Sequence, residues 1–431
     1  MKEAAGTAMA KTQWTILTYI AAHNNLQELG DRSLEQIVGI GSTREVVHGV
    51  LFDGEEGAVR CIVGDPGKVL EQEKLQEFDS GDPDRLIETA QWVYSRYPAE
   101  RYGLVLWSHG SGWMPHEIEA VAGEVRGSSP VETPESIERS QMPGSRVLFR
   151  SSLAGILKPE KPSERAVLFD DGTGHSLDTV ELGRVIASIQ SFIHQPLELL
   201  GMDACLMANL EVAYQIRNGV RFMVASEELV PGHSWPYDTI LGELRAHPEM
   251  SGADFARLVV SKYTTYYTAH PPAAGDVTKA ALDLAQIRAL AETVGLLAAA
   301  LIADMELQAD VLWKAQSAAF QRETRKKART PSKFEYHLWD IGSLAAALIA
   351  ESTASAEVRN AAGQVVHALQ PGTGAVLAEG HRGEWFDGIG GVTIYLMPSG
   401  EQQISPFYGA TALAKDTRWA DMLKAYHEHY A

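Results

Sequence analysis

Short apolar runs alternate with amphipathic stretches through the first half of the chain. The runs fall at Trp14 to Ala21, Val47 to Phe52, Val59 to Val63, Leu104 to Trp107, Leu197 to Met202 and Phe222 to Ser226. They are short and rich in Val, Ile and Leu, which predicts buried strands covered on both faces. Between them, apolar residues recur at spacings of three and four over Asn25 to Gly39, Pro83 to Tyr97, Thr179 to Ile193 and Leu206 to Ile216, the helical period. Strand alternating with helix predicts an α/β fold with a mainly parallel sheet flanked by helices. From about residue 246 the pattern turns helix-rich, with Ala253 to Tyr267, Leu284 to Ala319 and Ile341 to Ile349, before one more strand at Val392 to Leu396. The expected organisation is a domain over residues 1–245 and a helix-rich C-terminal subdomain, 246–431, packed on it. Residues 114–166 interrupt the first domain as an insertion with six prolines and little periodicity.

Two strand ends carry chemistry. Leu197 to Met202 runs into Asp203-Ala204-Cys205, and Leu104 to Trp107 runs into Ser108-His109-Gly110-Ser111-Gly112-Trp113. In an open α/β sheet the carboxyl ends of the strands form the ligand crevice. Residues two apart on a strand share a face, so Asp203 and Cys205 are expected to look into one cleft. A cysteine needs a thiolate to react, and a nearby imidazole both activates it and supplies a proton to a leaving group. His109 and Cys205 are therefore a candidate dyad, and the backbone N–H groups of Gly110 and Cys205 a candidate oxyanion hole. The competing readings are a buried core thiol, a satisfied loop histidine and, for Asp203, a helix cap. Cys61, inside Val59 to Val63, reads as a packed strand residue. A serine hydrolase using Ser111 lacks the strand-to-helix Gly-x-Ser-x-Gly elbow.

Ordered segments along nearly the whole chain resemble the clostripain-like cysteine peptidases, relatives of caspases, gingipains and legumain. They are Trp14 to Ala22 with Asn24-Asn25-Leu26; Tyr97 to Leu104 running into Leu106 to Trp113; Gly201 to Met207 with Glu211; Ala225 to Glu228 leading to Trp235-Pro236-Tyr237; Gly391 to Leu396; and Trp419 to Leu423. The resemblance implies a caspase-like fold, His109 as general base and acid, Cys205 as nucleophile, and Asp203 at the floor of the first specificity pocket. Glu227, Trp235 and Asp238 are the further substrate-binding candidates on these segments. A carboxylate pairs best with a planar guanidinium, so substrates with arginine, then lysine, before the cut are expected. His23 and Ser234 depart from the family pattern, standing where an acidic residue and a glycine are usual. A precursor cut after Arg146 or Arg150 is expected, since both lie in the proline-bearing insertion and small residues, Ser151 and Ser152, follow Arg150; the resemblance also suggests such activation, either by the enzyme itself or by an upstream activating protease. A catalytically inactive scaffold that binds a protein partner through the cleft is the alternative.

Composition narrows the partners. A formal charge of −19 over 431 residues argues against nucleic acid and anionic membranes and is compatible with basic protein or peptide substrates. With Cys61 and Cys205 as its 2 cysteines, the chain has no disulfide framework, which favours a cytoplasmic setting. The amino terminus lacks the apolar core of a signal peptide, and Leu296 to Ile302 is too short to cross a bilayer. No cofactor is expected. Asp170-Asp171-Gly172-Thr173-Gly174-His175 and Asp65 offer oxygen ligands of the kind calcium takes, but a solvated turn explains the cluster better and no metal ligand is assigned. His427 and His429 read as part of a polar tail.

Overall fold

The structure, a computed structural model, describes residues 12–113, 167–168, 176–271, 276–324, 337–397, 404–405 and 407–430. Strand β1 (Thr12–Ala21), helix α1 (Gln27–Ile40) and strands β2 (Val46–Gly54), β3 (Gly57–Val63) and β4 (Val69–Leu75) open the chain. Helix α2 (Pro83–Arg96), β5 (Ala99–Trp107), α3 (Thr179–Ile193), β6 (Leu197–Asp203), α4 (Leu210–Ile216) and β7 (Val220–Ala225) follow. These strands belong to one nine-stranded sheet of order β10-β8-β7-β6-β5-β1-β2-β3-β4. Its centre, β2, β1, β5, β6 and β7, is parallel, and both edges are antiparallel.

The sheet continues past residue 245. After α5 (Tyr237–Ala246) and α6 (Gly252–Ala269) come β8 (Val277–Asp283), α7 (Ile287–Ile302), α8 (Met305–Thr324), β9 (Leu338–Asp340), α9 (Ile341–Ala350), α10 (Ala356–Leu369), β10 (Val376–Arg382) and β11 (Thr393–Tyr395). Strands β8 and β10 extend the main sheet, whereas β9 and β11 pair with each other. The stretch Leu284 to Ala319, expected as one helix, is two, α7 and α8, with a break between Ile302 and Met305. Besides the short β9, three strands of the main sheet escape the periodicity reading. Every residue of β4 except Leu75 is exposed, so it carries no apolar alternation. The Thr-Lys-Ala-Ala core of β8 has helix propensity, and pairing with β7 overrides it. In β10 the half-buried residues Leu377 to Arg382 include glycine and charged side chains.

Alternation along each strand feeds two cores. Leu104, Leu106, Leu200 and Met202 point to the face covered by α2, α3, α4 and the C-terminal helices. Val105, Trp107 and Leu199 point to the opposite face, under α1, α5 and α6. Helix α3 starts where a capping box closes its first turn, with Asp178 Oδ1 accepting from Glu181 N at 2.6 Å and the Glu181 carboxylate accepting from Asp178 N at 3.2 Å. Strand order reverses at β1, which pairs with β2 on one side and β5 on the other. That reversal is the topological switch point, and the loops leaving β1, β5 and β6 meet there.

Candidate active site

Each of those three loops delivers one part of the site. After β1, Asn24 folds the chain into a turn, its Oδ1 accepting from Leu26 N at 2.9 Å and its Nδ2 donating to Ala21 O at 3.1 Å. After β5, the Ser108 hydroxyl donates to Ala21 O at 3.1 Å, tying the ends of β5 and β1 together. After β6, Cys205 follows in a turn. One pocket is lined by Leu26, Leu29, Trp107, Ser108, His109, Asp203, Cys205, Val230, Pro231, Gly232 and Ser234. It brings His109 together with Asp203 and Cys205, which stand 94 and 96 residues further along the chain.

His109 is 8% exposed and its Nε2 lies 2.8 Å from Asn25 Oδ1. A carboxamide oxygen accepts, so this contact places the ring proton on Nε2 and makes Nδ1 the basic nitrogen of the neutral ring. Burial holds the imidazole pKa down at about 3. The half-buried Cys205 thiol is pushed up to about 12, chiefly by loss of solvent and also by the charge of Glu228 and Asp203. The N–H of Val230 at 3.3 Å from Sγ and the charge of Lys279 oppose that rise. The pair therefore rests as neutral imidazole and neutral thiol, and proton transfer has to accompany attack on a substrate.

Cys205 does not sit where strand periodicity puts it. Strand β6 ends at Asp203, and the turn behind it, with Leu206 in the left-handed region at φ 65°, carries Sγ into the pocket. Such a conformation is costly for leucine and is held by its surroundings. Leu206 N donates to Glu228 O at 3.3 Å, Ala208 N to Ser226 O at 2.9 Å, and Thr393 N to Ala208 O at 2.9 Å. Helix α4 starts later than expected, with Asn209 as its cap at 3.3 Å from Val212 N. Asp203 is therefore not a helix cap. Gly110 lies against the same turn. A Cβ there would fall 2.4 Å from Cys205 O and 3.0 Å from both Ala204 Cβ and Met207 Sδ, so only glycine lets the two loops touch.

Asp203 is 3% exposed at the pocket floor. Its Oδ2 accepts from Trp235 N at 3.1 Å, from the Tyr237 hydroxyl at 2.9 Å and from the Ser234 hydroxyl. Its Oδ1 is buried with no hydrogen-bond partner among the described residues. Burial raises the Asp203 pKa, while Lys279 and the three donors pull it down. Ser234, in place of a glycine, holds φ 60°, and its oxygen also accepts from Trp107 Nε1 at 2.7 Å. The serine thus accepts backbone strain and fixes one carboxylate oxygen.

The remaining sequence-derived candidates lie elsewhere. Trp235 is 1% exposed and packs beneath the pocket against Gly201, so its ring is closed to a substrate and only its N–H serves the site. Glu227 is buried outside the lining, with its N–H on Thr278 Oγ1 at 3.0 Å. Asp238 is exposed in the first turn of α5 and accepts from Thr239 N at 2.7 Å. All three follow β7 in sequence, but the loop turns them away from the cleft. Arg146, Arg150 and the Asp170 to His175 cluster lie outside the described residues. Asp65 is exposed and pairs with Lys68 at 3.7 Å, and among the described residues no group of three or more His, Cys, Asp or Glu is placed to hold a metal ion. Ser111 is buried outside the lining, and Cys61 is a core residue of β3 whose thiol burial pushes up to about 11. Asn25, Leu26, Leu29 and the Val230 to Gly232 wall are additions. Asn25 stands in a segment on which the family resemblance rests, but nothing in the sequence pairs it with His109.

The sequence profile of the clostripain family matches residues 18–123 and 151–426. The chain belongs to the clostripain family. Its members are cysteine peptidases, and clostripain itself, from Hathewaya histolytica, is 26% identical over 178 residues. That alignment spans 39% of this chain and 26% of clostripain. A secreted C11 cysteine protease of Bacteroides thetaiotaomicron, solved with an irreversible peptide inhibitor, shares the fold with a TM-score of 0.59 and 17% identity, covering 96% of this chain and 99% of its own. An inactive zymogen C11 protease from Parabacteroides distasonis gives 0.59 at 18% identity, over 94% of this chain and 98% of that one. The mostly parallel sheet with its helical layers is thus the fold of the clostripain family, caspase-like as expected.

Proposed function

We propose that this clostripain-family chain is a cysteine endopeptidase that cuts after a basic residue through a His109/Cys205 dyad. The observation that carries the reading is the single pocket in which an imidazole, a thiol and a buried carboxylate meet at the sheet's switch point. Cys205 Sγ attacks the scissile carbonyl carbon as its proton passes to His109 Nδ1. The backbone N–H groups of Gly110 and Cys205 face the developing oxyanion. His109 then protonates the departing amine, leaving a thioester on Cys205. Water, deprotonated by His109, releases the acid and restores the thiol. Asn25 holds the imidazole in the required tautomer.

Asp203 supplies the selectivity. Since three donors occupy Oδ2, one oxygen remains for a substrate cation. A two-pronged guanidinium clasp is therefore reduced to one prong, and arginine leads lysine by a narrower margin than a free carboxylate would give. Asp203→Ala should keep the chemistry but lose about 2–5 kcal/mol of preference for basic over neutral side chains, the cost of leaving a cation buried without its partner. A fluorogenic peptide panel varied at the residue before the cut reads this directly. Unchanged preference in Asp203→Ala would move the pocket floor elsewhere.

We also propose that the enzyme is made as a less active precursor and is cut between His109 and Cys205, after Arg146 or Arg150. Two observations support this. The insertion leaves the site at Trp113, 1% exposed, and returns at Val167, which is fully buried and forms a β-bridge with Gly110. Its proline-bearing, weakly periodic sequence is suited to proteolysis. Intact mass spectrometry should find two chains in active wild type and one chain in Cys205→Ala kept free of other proteases. Full activity in an unbroken chain would remove cleavage as the switch.

A further inference from the structure

Among the described residues, Lys279 is the one buried lysine or arginine whose charge acts on the site, and the mechanism above does not use it. It stands on β8 and is 0% exposed. Its Nζ lies 4.1 Å from the Tyr263 ring centroid and 5.1 Å from that of Trp235, and it has no hydrogen-bond partner among the described residues. The same Trp235 donates its backbone N–H to Asp203 Oδ2. Lys279 and Asp203 thus meet the same residue, Lys279 at the indole ring of Trp235 and Asp203 at its backbone N–H, each with an unmatched polar atom, and each acts on the other's charge. Two aromatic faces soften the burial of an ammonium but do not replace an anion.

Resting on the basic-residue reading above, we propose that Lys279 is the internal counter-cation of the specificity pocket. A substrate's basic side chain competes with it for Asp203, and Lys279 thereby sets how strongly the enzyme prefers such residues. While the pocket is empty, the ammonium keeps the buried carboxylate compensated. When a substrate cation enters, two positive charges share one carboxylate, and the complex is relieved if Lys279 gives up its proton. Burial already holds the ammonium down at about 7, so that release is accessible at ordinary pH. The titratable groups around it are Asp203 and Cys205 at the end of β6 and Tyr263 on α6, with Glu227 and Glu228 in the loop leaving the adjoining β7. Lys279 is a specificity-determining residue and takes no part in bond making.

The test is a ratio. Dividing kcat/KM for a peptide with arginine before the cut by that for its norleucine twin cancels the titration of His109 and Cys205, which both peptides share. In wild type the ratio should rise up to about tenfold between pH 6 and pH 8, because the released fraction of a group with a midpoint near 7 climbs from about one in eleven to about ten in eleven over that range. Lys279→Arg keeps its charge over this range, so its ratio should stay flat at the wild-type acid value. A flat ratio in wild type overturns the proposal whether or not the variant folds. An equal rise in Lys279→Arg assigns the titration to another group and also overturns it. An enzyme that turns over both peptides with a flat ratio leaves the peptidase reading standing, whereas one that turns over neither removes that reading and this inference with it.

Discussion

Cys205→Ala and His109→Ala should each lower peptide turnover by at least about 10⁴-fold while leaving the fold and melting temperature close to wild type, because the two groups act as one unit. The expectation follows from the resting state of the pair. With the imidazole held near 3 and the thiol near 12, neither group is reactive alone. The imidazole must take the proton as the sulfur attacks. Removing the base leaves a neutral thiol, and removing the sulfur leaves water to compete without a nucleophile. Cys205 is half-buried in a turn braced by backbone bonds from Leu206 and Ala208, so loss of its Sγ removes one hydrogen bond, from Val230, and little packing. Stopped-time assays on preparations purified from a host lacking other proteases measure the loss, and substantial turnover by Cys205→Ala would end the cysteine-peptidase account.

Gly110→Ala should cost on the order of 100-fold in kcat/KM, the penalty expected when reacting groups are displaced by about 1 Å. The added methyl would lie 2.4 Å from the carbonyl oxygen of Cys205, a separation no side chain tolerates. Relief requires the His109 loop and the Cys205 turn to move apart, and that movement lengthens the dyad and spreads the two N–H groups facing the oxyanion. The loss should appear in kcat more than in KM, since the pocket floor at Asp203 lies on β6 and stays in place. Thermal melting run alongside separates local displacement from unfolding. Activity within about threefold of wild type would mean that the loops adjust freely and that contact at Gly110 does not set the site's geometry.

The site was legible in the sequence to the extent that its residues follow directly on apolar strands. His109 and Gly110 come immediately after β5, and Asp203 closes β6, so the run of Leu and Val before each fixes where it emerges. Strand alternation accounts for the position of Cys205 only in part. Alternation places it beside Asp203 only if the strand continues, whereas a left-handed Leu206 in a braced turn produces the same result. The walls were hidden, because Asn25, Leu29 and Val230 reach the pocket by tertiary packing that no local period encodes. Glu227 and Asp238 show the converse: they carry suitable charge near the right segment, yet neither lines the pocket, Glu227 being buried and Asp238 exposed. The sheet's edges show the same limit. Alanine-rich β8 and exposed β4 become strands through their neighbours, and Lys279, which β8 delivers beneath the pocket, looks in sequence like one more surface lysine.

The central claim is that Cys205 is the nucleophile of a pocket that accepts a basic side chain. The most direct measurement is the intact mass and peptide map of the protein after incubation with a peptidyl ketone electrophile carrying arginine at the position before the reactive carbon. The account predicts one adduct per molecule, on Cys205, blocked by an excess of arginine peptide substrate and absent in His109→Ala. An unlabelled protein, or an adduct on the buried Cys61 in its place, would contradict it.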